Sequence, residues 1–219
     1  AKSVGADYLI SLHLNASEEH NFFGSEVFTS AFGSYYAWGK GVGDQVLSRL
    51  VGDGFVSKGV KTRLGSKGAD YYGIIRESKA LRIPAIIIEH GYMDQDDDWA
   101  RMNTDEKLAE LGKCDAAGIA AFFGLQKGKN LPELPTTDTP EPVSSPVRPD
   151  STDPVNVYYT LTRQDTANAR IALHAEDPDS RVMYYDYSLD GEDSWSKLYL
   201  WPEGTGDDIT FTVPVTEGE

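Results

Sequence analysis

Disulfide bonds and a strong positive charge are both missing from this sequence. It has one cysteine in 219 residues, so no disulfide can form within the chain, and the small disulfide-stapled proteins are excluded. It has 20 Lys and Arg residues against 35 Asp and Glu residues, which gives a net charge of −15. Nucleic-acid binding depends on neutralising phosphates with Lys and Arg, so we expect no nucleic-acid partner. No apolar run reaches the roughly 20 residues that cross a bilayer, so the sequence predicts no membrane span.

Apolar residues are also scarce in residues 126–154, where the composition changes abruptly. Such a segment cannot bury enough surface to fold, and its prolines hold it extended. We therefore predict a first domain over 1–125, a Pro-rich linker over 126–154 and a second domain over 155–219. The prolines of the linker are Pro132, Pro135, Pro140, Pro142, Pro146, Pro149 and Pro154.

Two apolar stretches run directly into residues that can bind a metal or transfer a proton. Residues 10–12 lead to His13, and residues 86–88 lead to Glu89. In an open parallel sheet the active crevice lies outside the carboxyl ends of the strands. If the two strands are neighbours, His13 and Glu89 therefore face one cleft. The β-branched second run is typical of a strand that is covered on both faces.

Each of these residues also has a purely structural interpretation. A lone histidine at a strand end is more often a hydrogen-bonded structural residue than a ligand, and a lone glutamate there is usually a helix cap or a solvated loop residue. Asn15 has a functional interpretation, in which it orients His13 or contacts substrate, and a structural one, in which it forms a turn. His90 is expected to point away from the Glu89 face, in a supporting or surface role. The pattern alone leaves these alternatives open.

Three segments of the sequence resemble the zinc-dependent N-acetylmuramoyl-L-alanine amidases of bacterial cell-wall turnover (amidase type 3). They are 6–16, containing Ser-Leu-His-Leu-Asn, then 24–28, Gly-Ser-Glu-Val-Phe, and 84–93, Pro-Ala-Ile-Ile-Ile-Glu-His-Gly-Tyr-Met, in the order and spacing of that family. In the family, the histidine of the first segment is a zinc ligand, which corresponds to His13. The glutamate of the third segment is the catalytic carboxylate, which corresponds to Glu89.

The resemblance implies a secreted, zinc-dependent hydrolase that acts on peptidoglycan at the cell wall. The reaction would be hydrolysis of the amide between N-acetylmuramic acid and the L-alanine of the stem peptide. Zinc lowers the pKa of a bound water to about 7. Glu89 would take a proton from this water and return it to the departing nitrogen. Asn15 is the candidate substrate-binding residue.

The first zinc-binding motif of the family, of the Asp-Pro-Gly-His-Gly type, and the helix with a zinc-binding glutamate that follows it do not occur in this sequence. A catalytic zinc normally has three protein ligands and a water. Either the chain is a fragment whose other zinc ligands precede Ala1, or it is a degenerate module that serves as a non-catalytic wall-binding or scaffold protein. We expect a fragment, inactive by itself, because a degenerate module would have no reason to keep both His13 and Glu89.

Alternating strand and helix patterns predict an α/β first domain with a mostly parallel twisted sheet and flanking helices. The resemblance implies the phosphorylase/hydrolase-like amidase fold, with its amino-terminal part expected to be missing. The patterns also predict a long helix over 97–123 that is interrupted near Gly112. Missing strands would leave an exposed sheet edge, so we expect self-association there.

Short β segments separated by turn signals predict a small all-β second domain. The stretch 187–195, with its Asp190-Gly191 turn signal, resembles a hairpin of extracellular immunoglobulin-like domains, so we expect a small immunoglobulin-like β-sandwich that is incomplete. Several of its aromatic side chains could form a surface that stacks on sugars, although such residues more often belong to a core. They are Tyr184, Tyr185, Trp195, Tyr199 and Trp201.

Overall fold

The computed structural model describes residues 1–126, 146–150 and 152–215. The chain folds into two compact units, Ala1–Pro149 and Asp150–Glu219. Most of the predicted linker lies outside the described residues, so the domain limits that we infer from the sequence stay a prediction. In the described part of the chain, no helix is both long enough and apolar enough to cross a bilayer.

Strands and helices alternate in the first unit after a short 3-10 turn at Lys2–Val4. They are β1 (Leu9–Asn15), β2 (Ser25–Thr29), α1 (Gly33–Gly52), β3 (Ser57–Thr62), α2 (Gly73–Ala80), β4 (Ala85–Tyr92), α3 (Asp96–Trp99) and α4 (Asp105–Phe123). The strands form one four-stranded sheet in the order β1-β4-β2-β3. The pairs β1–β4 and β2–β3 are parallel, whereas β2 and β4 are antiparallel. The predicted α/β fold is therefore confirmed, with a mixed sheet.

The apolar core of the first unit lies between one face of the sheet and the helices α1 and α4. Every third or fourth residue of α1 is apolar and buried, which is the spacing of one helix face. These side chains pack with alternate residues of the central strand β4. The members from α1 and β4 are Val42, Val46, Leu47, Leu50, Ile86 and Ile88. Ile87 is buried as well, so β4 is covered on both faces as its unbroken apolar run predicts.

A glycine allows the helices α1 and α4 to approach each other closely. A Cβ atom on Gly118 of α4 would lie 2.7 Å from the Cα atom of Val46 in α1, a contact that requires the backbone to move. Gly112, also in α4, has open space where its Cβ would be. The distance between the two helices is therefore limited by the residue at position 118.

We expect Gly118→Ala to destabilise the first unit by about 1–3 kcal/mol, because the added methyl group overpacks the contact with α1. Gly112→Ala is the matched control in the same helix, and it should stabilise the unit by up to about 1 kcal/mol through better helix propensity. Urea unfolding of both variants measures the difference in the free energy of unfolding. Equal stability of the two variants would contradict the close packing at position 118.

The prediction of a helix over 97–123 with an interruption near Gly112 is wrong about the place of the interruption. The structure ends α3 early, and α4 continues through Gly112 without a break. The break lies at 100–104, because Thr104 caps α4 with a hydroxyl that accepts a hydrogen bond from the Lys107 N–H group at 3.3 Å. An exposed glycine lowers helix propensity but does not by itself end a helix.

The second unit consists of β-strands in its described residues. They are β5 (Val155–Arg163), β6 (Asn168–Glu176), β7 (Tyr184–Tyr185), β8 (Tyr199–Leu200) and β9 (Asp208–Pro214). One antiparallel sheet has the order β5-β6-β9, and β7 pairs with β8. A small all-β region is therefore present, and its assignment as an immunoglobulin-like sandwich stays a prediction.

The aromatic side chains of the second unit divide into core and surface. Trp201 is buried, and its ring lies edge-on to Tyr185 with 6.2 Å between centroids. Tyr185 also stacks on Tyr199 at 5.4 Å. Trp195, by contrast, is 56% exposed. Core packing therefore accounts for Trp201, and sugar stacking stays a prediction for exposed rings such as Trp195.

Candidate active site

The sheet brings three ionisable side chains together on neighbouring strands. His13 of β1 is the register partner of Glu89 of β4, and Glu89 is in turn the register partner of Glu26 of β2. Directly opposed residues on adjacent strands project to the same face, with Cβ atoms about 4.5–5.5 Å apart. The strands that end in His13 and Glu89 are thus neighbours, as the sequence analysis required for a shared cleft.

Glu89 lies in a half-buried position that destabilises its charged form. Its Oε2 atom is buried and has no hydrogen-bond partner among the described residues. Burial raises the pKa of Glu89 to about 7, the negative charge of Glu26 adds to the increase, and His90 opposes it. A carboxyl group with this pKa exchanges its proton near neutral pH, which is what a general acid–base catalyst requires.

Glu26 is the site residue that our sequence analysis missed. It is 4% exposed, and its Oε1 atom accepts hydrogen bonds from Asn15 Nδ2 at 2.8 Å and from the Tyr92 hydroxyl at 3.1 Å. Its Oε2 atom lies 2.9 Å from Lys61 Nζ and 4.0 Å from Lys58 Nζ. A charged residue directly before Val27 and Phe28 in the short segment 24–28 was the available signal, because buried charges need dedicated partners.

The Asn15 side chain contacts Glu26. Among the described residues, His13 is not a hydrogen-bond partner of the Asn15 side chain. Its Nδ2 donates to Glu26, while its Oδ1 accepts a hydrogen bond from the Ala16 N–H group at 2.9 Å. The side chain thus both stabilises the turn after β1 and fixes the position of a carboxylate. Its role in substrate binding stays a prediction.

His13 lies on β1, which is an edge strand of the sheet within the described residues. Its side chain is exposed, and Nε2 lies 2.7 Å from the Ser11 hydroxyl. The described residues contain no group of three or more His, Cys, Asp or Glu side chains that could hold a metal ion. His13 is therefore accessible as a single ligand, and the described residues do not by themselves form a complete zinc site.

His90 is buried on the opposite side of the sheet from Glu89, so the surface role considered for it is wrong. Its Nδ1 lies 2.9 Å from the backbone oxygen of His13, and its Nε2 lies 2.9 Å from Oδ2 of Asp115 in α4. A carbonyl oxygen only accepts hydrogen bonds, so Nδ1 must carry a proton. His90 therefore links the backbone of the candidate zinc ligand to helix α4.

Asp98 connects the two strands that carry the carboxylates. Its Oδ2 accepts hydrogen bonds from the Gly24 N–H group at 2.7 Å and from the Tyr92 N–H group at 2.9 Å. Gly24 precedes β2 and Tyr92 ends β4. One buried side chain thus holds the start of one strand against the end of the other, which stabilises the pairing of Glu26 with Glu89.

We expect Glu26→Gln to lower the pKa of Glu89 below about 7, because the substitution removes a neighbouring negative charge and leaves the burial of Glu89 in place. The measurement is a titration of the Glu89 side-chain carboxyl carbon by NMR. Glu110→Gln is the control, since Glu110 is a surface residue paired with Lys113. An unchanged or higher pKa of Glu89 in the Glu26 variant would contradict the coupling.

A half-buried carboxyl group with a raised pKa next to a second carboxylate is typical of a site for acid–base catalysis. The sequence of residues 1–121 matches the model of the N-acetylmuramoyl-L-alanine amidase family, and this chain belongs to that family. It is 30% identical over 129 residues to the endolysin of Bacillus phage SPP1, a match that covers 58% of this chain and 44% of the endolysin. The chain thus spans less than half the length of that relative.

Several solved structures are also similar to the chain. Cwp6 from Clostridium difficile is 26% identical with a TM-score of 0.49, and the match covers 55% of this chain and 18% of Cwp6. The amidase AmiC2 of Nostoc punctiforme is 24% identical with a TM-score of 0.46, covering 57% and 62%. The catalytic domain of the amidase CwlV from Bacillus (Paenibacillus) polymyxa var. colistinus is 20% identical with a TM-score of 0.46, covering 57% and 63%.

Proposed function

We propose that this chain contributes to a peptidoglycan amidase that hydrolyses the amide between N-acetylmuramic acid and the L-alanine of the stem peptide. The observation that carries the proposal is Glu89. In a chain of this amidase family, its carboxyl group has a pKa of about 7 and one oxygen without a partner among the described residues, and it lies in register with His13 and Glu26.

Glu89 is proposed as the general base and acid of the reaction. As a carboxylate it takes a proton from the water that attacks the amide carbonyl. As a carboxylic acid it then returns that proton to the amide nitrogen, which leaves as an amine only when protonated. Burial keeps the pKa of Glu89 high and the negative charge of Glu26 adds to the increase, so the same group can do both near neutral pH.

Zinc is proposed as the cofactor, with His13 as one of its ligands. The exposed imidazole on the edge strand is accessible to a metal ion. His13 alone does not make a catalytic zinc site, which normally needs three protein ligands. The proposed proton transfers are therefore assigned to Glu89 and not to a metal-bound group.

Peptidoglycan is the proposed substrate and partner. We also propose that the protein is secreted and acts at the cell wall. Self-association through the edge of β1 is proposed as well, because the outer side of this strand has no pairing strand among the described residues.

The test is the release of amino groups from purified peptidoglycan by the protein with its native flanking sequence, combined with a measurement of bound zinc. We expect one zinc per protein and new amino ends that are N-terminal L-alanine, without new reducing sugar ends. No zinc and no release would favour the alternative of a non-catalytic cell-wall binding or scaffold protein.

A further inference from the structure

The sheet face that carries Glu26 and Glu89 continues along β2 and β3, away from the two carboxylates. Phe28 follows Glu26 by two residues on β2, so the two side chains share a face. The register partner of Phe28 on β3 is Lys61. The ring of Tyr72 packs against Phe28, with 4.8 Å between the centroids. An aromatic surface thus adjoins the carboxylates on this face.

Arg63 lies at the far end of this surface, over the ring of Tyr71. Its guanidinium carbon lies 3.9 Å from the centroid of the Tyr71 ring. The guanidinium is also close enough to the Tyr72 side chain to oppose the increase that burial causes in the pKa of Tyr72. The backbone is fixed too, since the Tyr71 N–H group donates to the Arg63 carbonyl oxygen at 2.8 Å. Arg63 is exposed, but its head group has a defined position.

The charge of Arg63 is not neutralised by a carboxylate among the described residues, where its contacts are the two tyrosines. The nearby lysines differ from it in this respect. Lys61 lies 2.9 Å from Glu26, and Lys79 lies 2.7 Å from Asp70. In a chain with a net charge of −15, a pre-oriented guanidinium that has aromatic partners and no acidic partner is suited to an anionic ligand.

The separation between Arg63 and the carboxylates fits a short peptide. Along the parallel strands, Arg63 lies two positions beyond Lys61, and Glu26 lies two positions before Phe28. The backbone offset is therefore about four residues, or about 13 Å. Arg63 influences Tyr72, whose ring packs against Phe28, so we infer that the guanidinium lies nearer to the carboxylates than its own backbone does. This leaves room for about two extended residues, roughly 7 Å.

The surroundings of Tyr72 agree with this placement. Burial raises the pKa of Tyr72, the hydrogen bond and charge of Arg63 oppose the increase, and the charges of Glu26 and Glu89 add to it. A side chain that contacts Arg63 is therefore also within electrostatic range of both carboxylates.

We propose that Arg63 binds a carboxylate on the second residue of the stem peptide, on the leaving-group side of the amide that is cleaved. This inference rests on the proposed function. The carboxyl group of the muramic acid is consumed in the amide, so a carboxylate near the bond can come only from the peptide. The planar guanidinium can donate two parallel hydrogen bonds to it, and amidation of that carboxylate removes the charge and one acceptor.

The experiment uses the protein with its native flanking sequence and compares muramoyl-alanyl-glutamic acid, whose second residue has two free carboxylates, with the same compound amidated at both carboxylates. Calorimetry measures binding of each compound, and amine release measures kcat/KM. The wild-type protein should bind the acid about 10-fold more tightly than the amide. Arg63→Gln should bind both equally, and Arg63→Lys should recover part of the preference.

Arg101→Gln is the matched control, because the exposed Arg101 also lies over an aromatic ring, that of Phe55, at 5.9 Å. It should keep the preference for the acid. An Arg63→Gln variant that still prefers the acid overturns the inference, as does wild-type protein that binds the two compounds equally or binds neither. Cleavage of the acid and of the amidated compound with equal kcat/KM would overturn only the role of Arg63. Binding of the acid with no cleavage of either compound would overturn only the proposed function.

Discussion

Replacing Glu89 with glutamine is expected to lower kcat/KM for amide hydrolysis about 10³-fold. Glutamine has nearly the same shape as glutamate, but it cannot take a proton from water. The expected loss is measured as amine release from peptidoglycan by the zinc-loaded protein. In the wild-type protein, the rate should rise as the pH increases through about 7, because the base is the deprotonated form of Glu89.

Two observations separate this loss from a general defect. Zinc content and circular dichroism should remain unchanged in Glu89→Gln. Glu77→Gln is the control, since Glu77 is an exposed residue of α2 that pairs with Arg76, and it should retain full activity. A loss of less than about 10-fold in Glu89→Gln would mean that another group performs the proton transfer.

The second large effect is expected from Asp115→Ala, which breaks the buried pair with His90. Removing one member of a buried ion pair typically costs about 3–5 kcal/mol, because the other member is left without its partner. Hydrogen exchange of the β4 and α4 amides measures the free energy of opening in the first unit. Lys113→Ala is the control, because its pair with Glu110 is exposed and should contribute little. A change below about 0.5 kcal/mol in Asp115→Ala would contradict the pair's contribution.

The same pair gives the first unit a pH dependence of known sign. Burial lowers the pKa of His90, but the hydrogen bond and charge of Asp115 and the His13 carbonyl outweigh burial, so that the pKa is raised. A raised pKa in the folded state means that the stabilisation is fully present below the unfolded value of about 6.5 and is lost as the pH rises through the folded value. Asp115→Ala should remove this dependence.

The positions of His13 and Glu89 at the ends of strands could be predicted because both residues follow strong apolar runs, and such ends meet at one edge of a parallel sheet. That the two strands are neighbours was only a condition of the prediction, and the structure supplies it. Glu26 could not be placed in the same way. Its strand is short, and its position opposite Glu89 depends on an antiparallel register between segments far apart in the sequence. The resemblance to the family covered segment 24–28 but assigned no role to its glutamate.

The side chains that surround His90 could not be predicted from the local sequence pattern, for a related reason. The alternation of β4 predicts correctly that His90 and Glu89 point to opposite faces. It does not indicate what covers that opposite face, which depends on how α4 docks and on the rotation that aims Asp115 at the strand. An acidic residue within the buried stripe of α4 was the available signal, and only the tertiary contact gives it a partner.

The register between β2 and β4 limits how this part of the sequence can change in evolution. Side chains alternate along a strand, so a single-residue deletion that shifts this register would move Glu26 from the face that carries Glu89 to the core face beneath α1. Length changes in the connection between β1 and β2 leave this alternation intact, provided that Asp98 still holds the Gly24 amide. Among homologues, we therefore expect insertions and deletions in residues 17–23 and none within 25–29, whichever peptides those homologues cleave.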